Sequence, residues 1–177
     1  MKRTAFLIAS LVAAPAFAQA PAPAANPGVG AAKATFTAMS RFLAAAAEQV
    51  NESDYSYRPV ETVRTFGELI GHVAGANYMI CAAAMGEAAR GEDDIEKSAK
   101  TKAALVAALK GSNEYCGRAY EMTDAAAGGM TKLFGQDQTK MFALTLNAAH
   151  VGEHYGNIVT YMRMKGMVPP SSQPSGQ

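Results

Sequence analysis

The sequence contains only three histidines and two cysteines among its 177 residues. No C-x-x-C-H string occurs, which argues against covalently attached haem of the c type. No useful stretch alternates apolar and polar residues with a period of two, so no strand is expected. Beyond the first 20 residues no segment is long and apolar enough to cross a bilayer. The formal net charge is only +1 and charges of both signs are interspersed. That leaves neither a basic stripe for nucleic acid nor a polybasic patch for a membrane surface.

The N-terminal residues MKRTAFLIASLVAAPAFAQA place Lys2 and Arg3 before an apolar run and reach Ala16-Phe17-Ala18, an A-x-A cleavage pattern. Residues 1–18 therefore read as a signal peptide, with a periplasmic or secreted destination and no membrane span in the mature form. No cysteine lies near the cleavage point to carry a lipid. Residues 19–30, QAPAPAANPGVG, read as a flexible linker rich in Pro and Ala. Residues 31–168 suit one domain with a single core, and residues 169–177 read as a disordered tail.

Within that domain Phe36, Met39, Leu43, Ala46 and Val50 recur at spacings of three and four and mark an amphipathic first helix. Thr65-Phe66-Gly67-Glu68 reads as a capping box that opens a second helix running to about Met85. The polar stretch GEAARGEDDIEKS is expected to connect it to a third helix over about Lys100 to Met122, striped by Leu105, Leu109, Ser112, Cys116 and Ala119. DAAAGGMTKLFGQDQ reads as a loop, and a fourth helix runs from about Thr139 to Lys165, ended by Gly166 and by Pro169-Pro170. The fold class is all-α, and four helices around one core make a four-helix bundle.

All three histidines lie on inward faces of two helices. His150 and His154 are one turn apart, roughly 40° around the fourth helix, so their rings can reach one ion together. His72 shares the seam of Thr65, Leu69, Ala76, Met79 and Ala83 on the second helix. Three neutral imidazoles leave a fourth coordination position open for water or a substrate. Zinc is the default divalent ion, and nickel or iron also suits imidazole. Asn147, Asn157 and Glu68 are placed to orient the ligands from behind, although Glu68 also has its capping role. HVGEH matches the H-x-x-E-H of inverted zinc peptidases, with Glu153 as a weak candidate for general base. Only 23 residues follow His154, too few for that class's distant third ligand.

YRPVETVRTFGELIGHVAGANYMICAA and LNAAHVGEHYGNIVTYMRMKGMVPPSS resemble the DinB family of metal-dependent four-helix proteins, and in particular its exported members. The similarity runs from the first helix to the closing GMVPPSS. It implies a metal triad of His72, His150 and His154, from one His on the second helix and HxxxH on the fourth. It also implies an up-down-down-up bundle with helices two and three parallel. Members of known activity are mostly thiol-dependent transferases and an isomerase of the cytoplasm, so an exported relative departs from them. Dimers are common in the family, which makes a homodimer expected, and the fourth helix carries the small pair Gly152 and Gly156.

The two cysteines depend on that topology. In an antiparallel hairpin of helices two and three, Cys116 would stand roughly 20 Å along the axis from the level of Cys81. In a parallel pair their heights match. The family's topology is the parallel one and implies a disulfide between Cys81 and Cys116. Gly67, Gly71 and Gly75 form a row on the second helix against which something must pack closely. A neighbouring helix is the simpler occupant, and space for a ligand beside His72 the functional one.

Two functions stand at this point. One is an exported metal-dependent hydrolase or thiol transferase acting on a small-molecule substrate, with access shaped by the Gly-rich stretch 125–138. The alternative is a non-catalytic metal-binding or dimerising helical bundle.

Overall fold

The computed structural model describes residues 25–174. Four long helices dominate: α1 (Pro27–Gln49), α2 (Phe66–Met85), α4 (Lys102–Ala119) and α6 (Lys140–Met164), with two short ones, α3 (Asp94–Ser98) and α5 (Asp124–Ala127). An antiparallel hairpin of β1 (Met130–Leu133) and β2 (Gln136–Thr139) precedes α6. The leader expected over residues 1–18 lies outside the described residues.

Helix ends are set locally. Thr65 Oγ accepts the amide of Glu68 at 3.2 Å while the Glu68 carboxylate accepts the amide of Thr65 at 2.7 Å, completing the capping box. The Thr101 and Thr139 hydroxyls cap α4 and α6 by accepting the amides of Ala104 and Phe142, without the reciprocal carboxylate, each worth about 1 kcal/mol. Gly86 and Gly166 close α2 and α6 at φ 74° and 73°. The next residues, Glu87 and Met167, donate back to Ala82 and Met162, a left-handed termination that suits glycine.

Cross-contacts fix the topology. Leu105 packs at Gly67, Asn77 Nδ2 donates to Ser112 Oγ at 3.2 Å, and Cys81 is bonded to Cys116. Residue numbers rise together, so α2 and α4 are parallel. Phe42 stacks on Tyr155 and Met39 borders Gly152, so α1 and α6 are parallel as well. Tyr161 donates to the carbonyl of Arg64 at 2.9 Å while His72 meets His150, which sets α2 against α6. Lys33 pairs with Glu121 and Lys102 donates to the carbonyl of Glu48, which sets α1 against α4. The bundle is up-down-down-up, as the resemblance implies.

The core joins Leu43, Ala46 and Val50 of α1, Ile70, Val73 and Ile80 of α2, Leu109 of α4, and Leu144, Val151 and Ile158 of α6. α2 is the central rod, with 15 of its 20 residues buried. A helix covered on so many sides needs small residues where its neighbours cross. At Gly71 an added Cβ would stand 2.8 Å from Glu96 Cα, and at Gly75 it would stand 1.8 Å from the Glu92 carbonyl oxygen. The row is packed, as expected, but by connections as much as by a helix: Tyr55 and Leu105 at Gly67, Glu96 and Leu105 at Gly71, and Glu92 at Gly75.

Four expectations need correction. α1 begins at Pro27, inside the stretch read as linker, because the Asp124 carboxylate accepts the amides of Gly28 and Val29 at 2.9 and 2.8 Å. A cap supplied from almost a hundred residues away leaves no local trace. The third long helix is shorter than expected, Lys102–Ala119. The stretch 125–138 contains α5 and the hairpin, whose two-residue turn puts Phe134 and Gly135 at φ 51° and 75°. Phe is rare in that conformation, so no Asn-Gly signal announces the turn. Finally, Pro170–Ser172 form a 3-10 turn in which Ser171 exchanges hydrogen bonds with the Tyr155 hydroxyl at 2.8 and 2.9 Å, so the start of the tail is anchored.

Candidate metal centre

Each imidazole is placed by its helix. His150 and His154 are successive turns of α6, and His72 faces them from the antiparallel α2. The three Nε2 atoms converge: His72 to His150 is 3.2 Å and His154 to His150 is 3.0 Å. Ring centroids lie 4.4–5.1 Å apart with the planes steeply inclined. His72 is 6 % and His154 8 % exposed.

Mutual hydrogen bonds cannot account for this arrangement. A ring nitrogen either carries a proton or offers a lone pair, so His150 Nε2 cannot serve both neighbours alike. Three lone pairs aimed at one point repel unless a cation lies between them. Nitrogens held about 2.0–2.1 Å from a tetrahedral ion stand about 3.3–3.4 Å from one another. The two separations to His150 are close to that and all three ligand nitrogens lie within 4.8 Å of one another, so the donor set fits a divalent ion of the zinc class.

Burial suppresses protonation of all three. His72 is lowered from the usual imidazole value to about 4, by desolvation first and then by the positive charge of Arg64. His150 is lowered to about 3, by desolvation and then by its two histidine neighbours. His154 moves the same way, again chiefly by desolvation. In the metal-free protein the native state therefore resists protons that unfolded histidines accept near pH 6.5. Where the unfolded state binds more protons, stability rises with pH. Stability should accordingly fall as pH drops from about 6.5 toward 4. Urea midpoints of chelator-treated protein at pH 7.0, 6.0 and 5.5 test this, and a flat series would contradict the burial of neutral imidazoles.

The surroundings of the triad match the sequence reading only in part. Asn157 meets His154 Nδ1 at 3.3 Å. The atom facing the ring is the amide nitrogen Nδ2, a donor; exchanging the amide nitrogen and oxygen, which are alike in shape, turns the contact into one that accepts Nδ1–H and frees Nε2. Asn147 instead donates to the Tyr120 hydroxyl at 3.3 Å and does not meet a histidine. Helical side chains lean toward the helix N-terminus, so Asn157 covers the preceding turn, which bears His154, whereas Asn147 leans away from His150. Glu68 is engaged in its capping box. Glu153 is exposed on α6 and makes no hydrogen bond or ion pair among the described residues.

Two neighbours of the site went unrecognised in the sequence. Glu92 and Glu96 bring carboxylate oxygens to 3.7 and 3.9 Å from His72 Nδ1. Arg64 Nε holds both oxygens of Glu96 at 3.1 Å. A clue was present in the glycine row, which requires a close neighbour, but sequence alone does not say that acidic residues supply it.

The family model described as the DinB superfamily matches residues 35–158. No curated protein matches the chain. Among solved structures it is similar to a DinB-like protein from Bacillus subtilis, at 23% identity and a TM-score of 0.64, over 85% of this chain and 100% of that one. A DinB-like protein from Bacillus cereus is similar at 15% identity and a TM-score of 0.67, over 80% of this chain and 95% of that one. The mycothiol-dependent maleylpyruvate isomerase is similar at 15% identity and a TM-score of 0.63, over 73% of this chain but only 60% of that one. At such identities these likenesses establish the fold.

Proposed function

The chain belongs to the DinB superfamily, and on that premise we propose that it is an exported member that binds one divalent ion, zinc first, through His72, His150 and His154. The convergence of three Nε2 atoms within 3.0–3.2 Å of their neighbours carries this reading. The export pattern of the first 20 residues and the Cys81–Cys116 disulfide support an oxidising compartment such as the periplasm.

Three imidazoles fill three positions of a tetrahedral ion. A divalent ion held there supplies a Lewis acid that lowers the pKa of a bound water or thiol. The chain's own contribution is to keep the imidazoles neutral, to exclude water from His72 and His154, and to hold the rings from two helices whose spacing the bundle sets. A hydrolase or thiol transferase is the activity this arrangement serves. The name of the mycothiol-dependent neighbour supports a thiol among the candidate substrates. The burial of His72 and His154 favours the second reading, a non-catalytic metal-binding bundle, and a homodimer belongs with either.

Calorimetric titration of the chelator-treated mature protein with zinc should give one site per chain. Absence of any binding at neutral pH would overturn the reading. Ester, amide and thiol-transfer substrates, assayed for wild type and His72→Ala, separate the two functions: a rate lost in the variant identifies an enzyme, and equal rates identify a binder.

A further inference from the structure

Outside the triad, the least explained feature of the molecule is the path of the α2–α4 connection. It leaves α2 at Gly86, then lies back along α2 so closely that a single methyl at Gly71 or Gly75 would collide with its backbone. The result is that Glu92 and Glu96 flank His72 Nδ1 at 3.7 and 3.9 Å. That nitrogen is buried, belongs to a residue 6 % exposed, and has no hydrogen-bond partner among the described residues. A buried polar atom left unmatched costs about 1–3 kcal/mol, and here the unmatched atom faces two carboxylates just beyond hydrogen-bond range.

Resting on the reading of the triad as a metal site, we propose that Glu92 and Glu96 are positioning residues, one of which at a time closes in to accept a hydrogen bond from His72 Nδ1–H and so holds its Nε2 lone pair toward the ion. A carboxylate behind a ligating imidazole selects the tautomer, fixes the ring and raises its basicity. Glu96 is held for this by Arg64, which engages both its oxygens, and the backbone of Arg64 is tied to α6 through the Tyr161 hydroxyl. The carboxylate is thus anchored through the residue just before the α2 cap and, beyond it, through α6. Glu92, 34 % exposed and without another ion pair among the described residues, approaches from the other end of the same turn. The glycine row is explained as the groove that admits this strap.

The test compares wild type, Glu92→Ala/Glu96→Ala and Glu92→Gln/Glu96→Gln. In the double alanine variant zinc affinity should fall by about 10- to 100-fold, and the cobalt-substituted protein should show an altered visible spectrum. The glutamine pair keeps an acceptor and should recover much of the loss. Nitrogen-15 correlation spectra of the metal-free protein report the tautomer directly. His72 should carry its proton on Nδ1 in the wild type and become a mixture in the alanine pair. Zinc affinity within twofold of wild type, together with an unchanged tautomer, would overturn the positioning role while leaving the triad intact. Failure of the wild type itself to bind zinc would instead overturn the triad, and the tautomer measurement would still decide whether the carboxylates orient His72.

Discussion

His150→Ala should lose zinc affinity by roughly 100- to 1,000-fold while keeping its fold. The apparent binding energy of structural zinc in small four-ligand sites is about 10–16 kcal/mol, or about 2.5–4 kcal/mol for each ligand. Every 1.4 kcal/mol is about tenfold in affinity. His150 is the middle ligand, since its Nε2 is the one that meets both others, so its loss leaves two nitrogens on different helices. The fold should survive because the ring is only partly buried and its Nδ1 has no hydrogen-bond partner among the described residues to strand. In wild type, zinc at about 1,000 times its dissociation constant adds about 4 kcal/mol of stability, which for a chain of this size raises Tm by about 8–16 °C. In the variant the same zinc concentration is only about 1–10 times the dissociation constant and adds about 0.4–1.4 kcal/mol, so most of that increase should be lost. An equal thermal shift in both proteins would place the ion elsewhere.

Removing the Cys81–Cys116 bridge should cost about 3–4 kcal/mol and lower Tm by about 8–15 °C. The bridge closes a loop of 35 residues in the unfolded chain, and the loss of that loop's entropy from the unfolded ensemble sets the scale. Both cysteines are fully buried, so alanine at both positions fills the space with little polar penalty. Scanning calorimetry of Cys81→Ala/Cys116→Ala against wild type measures the effect. A change below about 2 °C, or two free thiols by intact mass in protein recovered from an oxidising compartment, would refute it. Cys81 lies on the side of α2 roughly opposite His72, so zinc stoichiometry should be the same with and without the bridge. That separates the staple from the metal centre.

The legible parts of the site were those encoded at short range. HxxxH puts two rings on one helix face whatever the fold, and the Thr65 to Glu68 box marks the start of α2 without reference to any other segment. Asn157 could be assigned to His154 for the same reason. The assignments that failed depended on where a side chain or strand goes in three dimensions. Asn147 turns to Tyr120, the Phe134-Gly135 turn adopts a conformation phenylalanine seldom takes, and α1 is capped by Asp124, a residue distant in the chain.

Four long helices, the capping box that opens α2 and the inward placement of all three histidines are readable from the sequence, because periodicities of three and four and local capping residues act within a few positions of one another. Packing alone settles that His72 meets the pair on α6 and that Glu92 and Glu96 stand behind it. It also settles which side of α2 the connection covers. Those facts follow from the direction in which rods pack and from how close a backbone can come to a row of glycines, and both are properties of contacts between segments far apart in the chain.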